Sequence, residues 1–496
     1  MSTVNNAAPP ATGERLKIRE YVGYAMGDTA SNLFFQTFNI FLTYYYVDVW
    51  GIAATALLWM LPIVQLVDAF FDPGMGLIAD RTNTRWGKFR PYLLWGAIPY
   101  GICGYLMFAG PDFQPTGKLV YAYITYGLML LSYSVINVPY SSLLGVLSPN
   151  SGTRAVASSF RFVGAFAGGF LISFLVRPLV KFLGELGATP ETIQAAATNK
   201  ALQGQLDTHG FQWAMGIFAV VSVVMFLLCF AWTKERVKPP RDQKTNVVEE
   251  LGELVRNWPW IVLLVASVLS TSFIALRSGS VLFYFKYVVG DDGSPLFTLG
   301  TLKFDHATVF LSSGMLAQVV GTMALGFIAR KVDKKWGAVT LCTLTALCFM
   351  SFYFIPKDQF ALQVAINVIA YLCMGPTSAL TWALYGDVAD YGEWKFGRRS
   401  TGLVFSASLF SIKTGVMVGN FLLPLFLAWF GYVKGADQTS DAKWGITLAF
   451  TLVAGFIGLL KAGSLAMFPL NRKRVMQIEN ELAARRAAMA AEAPTA

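Results

Sequence analysis

Charge is scarce in this sequence. Only 14% of its 496 residues are Asp, Glu, Lys or Arg, while 55% are hydrophobic and 15% aromatic. Soluble domains carry about 25% charge, so the composition indicates an integral membrane protein. Histidine is nearly missing: His209 and His306 are the only two, both near expected external helix ends, and no nucleophile stands beside a base. An enzyme is therefore not expected. The five cysteines, Cys103, Cys229, Cys342, Cys348 and Cys373, lie in apolar segments without a CxxC or paired spacing, which argues against a disulfide framework or a zinc site. The sequence lacks GxxxxGK[ST], so ATP-driven transport is unsupported and no cofactor is expected. The formal charge of +10 does not form a Lys/Arg stripe interleaved with aromatics, which removes nucleic acid as a partner. The first residues have no apolar core or small-residue cleavage site, so the first spanning helix is expected to serve as the insertion signal.

What is present is a series of long apolar runs. They fall at about 21–47, 54–79, 91–110, 117–145, 155–178 and 211–232, then at 259–289, 306–330, 337–355, 361–386, 400–431 and 443–468, each long enough to span a bilayer. The pattern predicts an all-α membrane protein of twelve spanning helices in two six-helix bundles, 21–232 and 259–468. Basic residues gather in alternate connections (Arg81, Arg85, Lys88 and Arg90; Arg154; Lys234 to Arg241; Arg330 to Lys335; Lys395 to Arg399). The positive-inside rule then places both tails, 1–20 and 469–496, in the cytoplasm. The stretch 233–258 reads as an interfacial linker helix, 181–210 as a polar external segment, and the mixed-charge tail as a solvated helix. An internal repeat supports the halves: GLIADRTNTRWG from Gly76 and GFIARKVDKKWG from Gly326 share glycine, apolar pair, basic cluster and Trp-Gly at the same offsets. Such repeats are a common way of building carriers. In this register Asp68 matches Gln318 and Asp72 matches Thr322.

The sharpest chemical signal is Asp68 and Asp72 in LVDAFFDPGMGLIADR. They lie about 18 and 12 Å inward from Asp80, near the bilayer midplane. A carboxylate there costs roughly 2.5–3.5 kcal/mol even on lenient scales. Two on one helical face need a cation between them or a raised pKa, which is a device for binding Na⁺ or H⁺. The alternative is a pair neutralised by a fixed Lys or Arg. Ser134 could add an oxygen ligand. Lys413 is an intramembrane cation that could pair with the carboxylates, contact a substrate or snorkel to an interface. Arg161 reads either as a cytoplasmic-side anchor or as a substrate contact. Asn32, Tyr133 and Asn137 suit a hydroxyl-rich ligand or interhelical bonding, and Trp382 and Tyr140 offer flat faces to a ring or to packing. At the cytoplasmic ends, Asp80, Arg81 and Arg154 in the first half and Asp387, Asp390, Glu393 and Arg399 in the second could form a gate, each ion pair contributing only about 0–1 kcal/mol.

The segments DAFFDPGMGLIADRTNTRWGKFRP, TYYYVDVWGI and GDVADYGEWKFGRRSTGL resemble the glycoside-pentoside-hexuronide:cation symporters, the melibiose-carrier-like family within the major facilitator superfamily. The resemblance covers nearly all twelve helices. It implies the major facilitator fold and sugar uptake coupled to H⁺ or Na⁺ by alternating access, with the bilayer and a small-molecule sugar as partners. It also implies a functional monomer in the plasma membrane, the inner membrane in a bacterium. Residue by residue, it implies a cation site at Asp68, Asp72 and Ser134, a site-closing role for Arg161, a lysine linking the sugar and cation sites at Lys413, and a family tyrosine at Tyr133.

The departures from the family pattern shape the substrate expectation. The family's two sugar-binding aspartates fall at Asn32 and Asn137, and its ring-contacting tryptophans at Ser141 and Ser378. A melibiose-like galactoside is thus not expected. Phe71 replaces a polar residue beside the acid pair, which favours H⁺ over Na⁺. Retaining Arg161 and Lys413 while losing two acids would suit an anionic sugar such as a hexuronide. The alternative on the same fold is a cation-coupled exporter of drugs or metabolites.

Overall fold

Apolar runs in a bilayer have no water to satisfy their backbone, so they must become helices. The structure, a computed structural model, describes residues 16–148, 151–236, 252, 254–291, 293–328, 333–397 and 401–492. The helices are α1 (Ile18–Thr37), α2 (Ala54–Arg81), α3 (Arg90–Met107), α4 (Pro115–Leu147), α5 (Ser151–Glu185), the short α6 (Pro190–Thr198) and α7 (Lys200–Trp232). Then come α8 (Trp258–Phe283), a hairpin of β1 (Phe297–Leu299) and β2 (Leu302–Phe304), α9 (His306–Ile328), α10 (Lys334–Ser351), α11 (Phe360–Phe396), α12 (Thr401–Trp429), α13 (Ser440–Leu448), α14 (Ala454–Ala466) and α15 (Arg472–Glu492). Counting α13 and α14 as one, joined by a π-helical turn at Ala449–Val453, twelve long helical stretches precede the tail among the described residues. Nine are long and apolar enough to cross a membrane by length and composition, so the chain is a multi-pass membrane protein.

Two helices change register toward one end. α1 passes into π-helical turns at Phe38–Leu42 and Tyr45–Val49, and α8 into one at Tyr284–Val289. Each π turn holds one residue more than an α turn and re-aims the side chains beyond it.

Contact grouping divides the chain into two compact units. The first spans Met1–Thr37, Val67–Ile172 and Phe211–Gln243; the second spans Phe38–Leu66, Ser173–Gly210 and Lys244–Ala496. Each uses the same joint. In the first, α5 lays Gly164 and Gly168 on α1: a Cβ on Gly164 would meet Ala25 O at 2.5 Å, and one on Gly168 would meet Thr29 O at 2.8 Å. Thr29 Oγ1 donates across this contact to Gly164 O at 2.9 Å. In the second unit, α12 lays Gly415 and Gly419 on α8, and Ser272 Oγ donates to Gly415 O at 3.0 Å. Small residues four apart let backbones approach, the usual route to tight packing where lipid offers no hydrophobic driving force. Gly164→Ala should therefore lower the detergent melting temperature, by overpacking of about 1–3 kcal/mol. Gly145→Ala, at a position with nothing within 4 Å, serves as control; equal melting of the two variants would contradict the close approach.

The connections are held by carboxylate caps. Glu235 accepts from the backbone N–H of Lys88, Phe89 and Arg90 at 2.8–2.9 Å, opening α3. Asp333 does the same for α10 through Lys335 and Trp336. Most of the expected linker helix lies outside the described residues. The expected external segment 181–210 is largely helical: α5 runs on to Glu185, α6 comes next, and α7 starts at Lys200. The tail departs from expectation. α15 is helical but not solvated all round: Ile478 and Leu482 are buried in a cluster with Val388, Ala389 and Leu254, and Trp394 Nε1 donates to Glu481 at 2.6 Å. The pair sits one turn apart, so an average over the mixed-charge tail hides it.

Candidate functional site

In the first unit, α2 and α4 bring the acid pair to a hydroxyl. Ser134 Oγ donates to Asp68 Oδ1 at 2.6 Å, and both residues are buried. Asp72 lies one turn later, half-buried, next to Phe71. A buried carboxylate is stable only if neutralised, whether by a partner or by a bound proton or cation. The arrangement can hold a proton or a small cation.

A second polar cluster is built on α1, α4 and α5. Ser31 Oγ donates to Asn137 Oδ1 at 2.9 Å, and Asn137 Nδ2 to Tyr133 O at 3.1 Å. Asn32 Nδ2 donates to Asp28 O at 2.9 Å, and Tyr133 stacks near Phe35. Arg161 is paired within this cluster: its Nε donates to Asp28 Oδ2 at 3.1 Å, and its guanidinium lies 5.2 Å from the Tyr140 ring. The glycine joint above sets this pair, since Arg161 sits one turn before Gly164 and Asp28 beside Thr29.

In the second unit, Lys413 is half-buried on α12, next to Ile412, whose carbonyl accepts from Thr271 at 3.1 Å. Trp382 packs by Tyr385 at 6.0 Å against the buried cluster. Of the expected gate residues, Asp387 is held by Lys334 at 2.9 Å within its own unit. Asp390 and Glu393 are half-buried on α11, Arg81 is exposed, and Arg154 Nη1 donates to Ser148 O at 2.8 Å. The side chain of Asp80 and all of Arg399 lie outside the described residues.

The second unit also contains a cluster that the sequence motifs do not reveal, at the end opposite the basic loops. Asp48, its side chain 1% exposed, accepts from Lys286 Nζ at 2.5 Å and from the hydroxyls of Tyr287 and Tyr432. Arg177 Nε donates to Asp305 at 2.8 Å, Lys181 Nζ to Gly293 O at 2.7 Å and Lys434 Nζ to Val49 O at 2.7 Å. These bonds join chain ends from both sequence halves. Burial would raise the Asp305 carboxyl, but Arg177 and the Thr308 amide and hydroxyl outweigh it and hold the pKa at about 2. The Arg177–Asp305 pair therefore persists from neutral pH down to strong acid and weakens only as the pH falls through about 2. A signal existed in the sequence: Arg177 and Lys181 stand at an expected external end, against the positive-inside rule, and so call for partners.

Comparison with known proteins agrees with a carrier. A family model described as MFS/sugar transport protein matches residues 23–472. The inner membrane symporter YicJ of Escherichia coli strain K12 is 33% identical over 455 residues, 90% of this chain and 91% of its own length. The isoprimeverose transporter of Lactiplantibacillus pentosus is 31% identical, covering 88% of this chain and 85% of that one. A glucuronide carrier protein homolog of E. coli K12 is 31% identical, covering 95% and 96%. Among solved structures, a D-xylose-proton symporter matches with a TM-score of 0.59 at 12% identity, over 91% of this chain and 96% of that chain.

Proposed function

The chain belongs to the MFS/sugar transport protein family, whose members are membrane carriers and not enzymes, and from that premise we propose that it imports a neutral glycoside or pentoside in symport with a proton. The observation that carries the reading is the buried Asp68, bonded to Ser134 one turn from Asp72 inside an apolar helix. Proton binding neutralises the pair, and the neutral site permits the loaded carrier to change state. Phe71 supplies no oxygen beside the acids, which favours H⁺ over a Na⁺ ion needing several oxygen ligands. The substrate contacts are Asn32, Tyr133, Asn137 and Arg161, with Trp382 and Lys413 from the second half. Asp80, Arg81 and Arg154, with Asp387, Asp390, Glu393 and Arg399, act as the cytoplasmic latch once Asp387 leaves Lys334.

The neutral-sugar preference comes from charge. Retained Arg161 and Lys413 would together suit a hexuronide, but Asp28 already pairs with Arg161, which takes one of the two cations out of such a site. The test is uptake into membrane vesicles under imposed H⁺ or Na⁺ gradients, across galactosides, xylosides and hexuronides. A neutral sugar should accumulate with the proton gradient. Accumulation of hexuronides alone would overturn the preference, and dependence on Na⁺ alone would overturn the proton.

A further inference from the structure

Phe174, Arg177 and Lys181 stand at i, i+3 and i+7 on α5 and so share one helical face. Each takes hold of the segment 291–306. The Phe174 ring packs on Phe304 of β2 with centroids 4.7 Å apart, Arg177 Nε donates to Asp305 at 2.8 Å, and Lys181 Nζ donates to Gly293 O at 2.7 Å. The grip joins a helix of the first sequence half to a segment of the second, within one compact unit. The two ends of the gripped segment meet at Asp291 and His306. Asp291 Oδ1 accepts from Gly293 N at 3.1 Å, shaping the turn that offers Gly293 O to Lys181, while His306 directly follows Asp305. His306 Nδ1 stands 3.4 Å from Asp291 Oδ1, yet neither Nδ1 nor Asp291 Oδ2 has a hydrogen-bond partner among the described residues.

Packing alone does not account for this pair. The Asp291 side chain is 2% exposed, and a buried carboxylate with an unused oxygen is costly. Arg177 is close enough to feel its charge but donates to Asp305. The other charged groups around the pair are Lys181 and Glu185 on α5, Lys303 of β2, which donates to Glu185, Lys286 beyond α8, held by Asp48, and Lys357 and Asp358 in the turn before Phe360, whose ring meets the His306 ring edge-on at 4.7 Å. Among the described residues none of them donates to Asp291 Oδ2. Histidine is the side chain whose charge ordinarily changes between about pH 5 and 8. Once protonated, His306 makes the approach to Asp291 a charge-assisted hydrogen bond and supplies the missing counter-charge. A contact that needs the protonated ring takes up a proton as it forms, so it is present in acid and lost as the pH rises through the histidine range.

We propose that His306 and Asp291 form a proton-operated clasp that tightens the grip of the segment 291–306 on α5, so that the end opposite the basic loops closes more readily in acid. The clasp is separate from the coupling site: neither residue belongs to the acid pair on α2, and the clasp sets how readily this end closes, whichever sugar or cation is carried.

The test uses the full chain in lipid nanodiscs without sugar, with nitroxide labels at the exposed residues Glu191 on α6 and Thr298 on β1. Electron–electron distances are read at about pH 8 and about pH 5.5, on either side of the histidine range. From the higher pH to the lower, the ratio of the short to the long population should rise about three- to tenfold, less than a fully buried charged hydrogen bond gives, because the His306 side chain is 29% exposed. His306→Gln, and Asp291→Asn, which keeps an oxygen for Gly293 N, should show the high-pH ratio of the wild type at both pH values. His209→Gln, which changes the other histidine, should respond as the wild type does. A wild type that does not respond, a response that survives in His306→Gln or in Asp291→Asn, or one that disappears in His209→Gln overturns the clasp. Detergent melting curves show which variants fold; where one member of the pair does not, the other decides.

Discussion

Asp72→Asn should abolish concentrative uptake and leave the sugar, at most, equal on the two sides of the membrane. One charge moving down 100 mV supplies about 2.3 kcal/mol, a gradient of roughly fiftyfold; under the proposed symport, an amide in place of the carboxylate does not carry the coupling cation and so forfeits that drive. The Asp68/Asp72 arrangement makes the expectation specific. Asp68 keeps its bond from Ser134 Oγ, so the variant retains a hydroxyl–carboxylate contact while losing the second carboxylate of the proposed site. Vesicles measured with and without a proton gradient decide the matter. If the variant accumulates sugar to wild-type levels, the coupling cation does not bind here.

Asp48→Asn should open the end opposite the basic loops. In the native chain this carboxylate collects Lys286, Tyr287 and Tyr432, and its side chain is almost fully buried. A hydrogen bond to a charged group contributes about 1.5–3 kcal/mol. Lys286 is 41% exposed, so water screens its share. A total near 3 kcal/mol, or roughly a hundredfold in the ratio of closed to open forms, is a reasonable scale. Nitroxide labels on the exposed residues Glu191 and Thr298 report it by electron–electron distance. The wild type should show a short population that Asp48→Asn depletes; an unchanged distribution would mean that Asp48 does not hold these chain ends together. The Arg177–Asp305 pair remains in this variant, so partial closure should persist and then vanish when Asp305→Asn is added.

Much of the architecture is readable from local pattern. Twelve apolar runs, alternating basic loops and an i, i+4 acid pair are properties of neighbouring residues, and hydropathy reports them directly. Ser134 is legible as a hydroxyl in an apolar helix. Asp48 is not, because its partners lie 238, 239 and 384 residues away. Arg161 stays ambiguous between anchor and substrate contact for the same reason: its partner, Asp28, lies on another helix, and no spacing rule connects positions 133 residues apart. The tail misleads differently. Its composition is that of a solvated helix, and only the pair Ile478 and Leu482 shows that one side is buried.

The π-helical turns after α1 set two faces of one helical stretch apart. An extra residue in a helical turn rotates everything beyond it by about 100°. Asp28 and Asp48 ride on one continuous stretch of helix, yet Phe38–Leu42 and Tyr45–Val49 intervene, so the face that presents one does not dictate the face that presents the other. The change from α to π at Thr37 and Phe38 is also where one compact unit gives way to the next. A substitution before Phe38 and one after it therefore act on separately oriented faces, and in separate compact units.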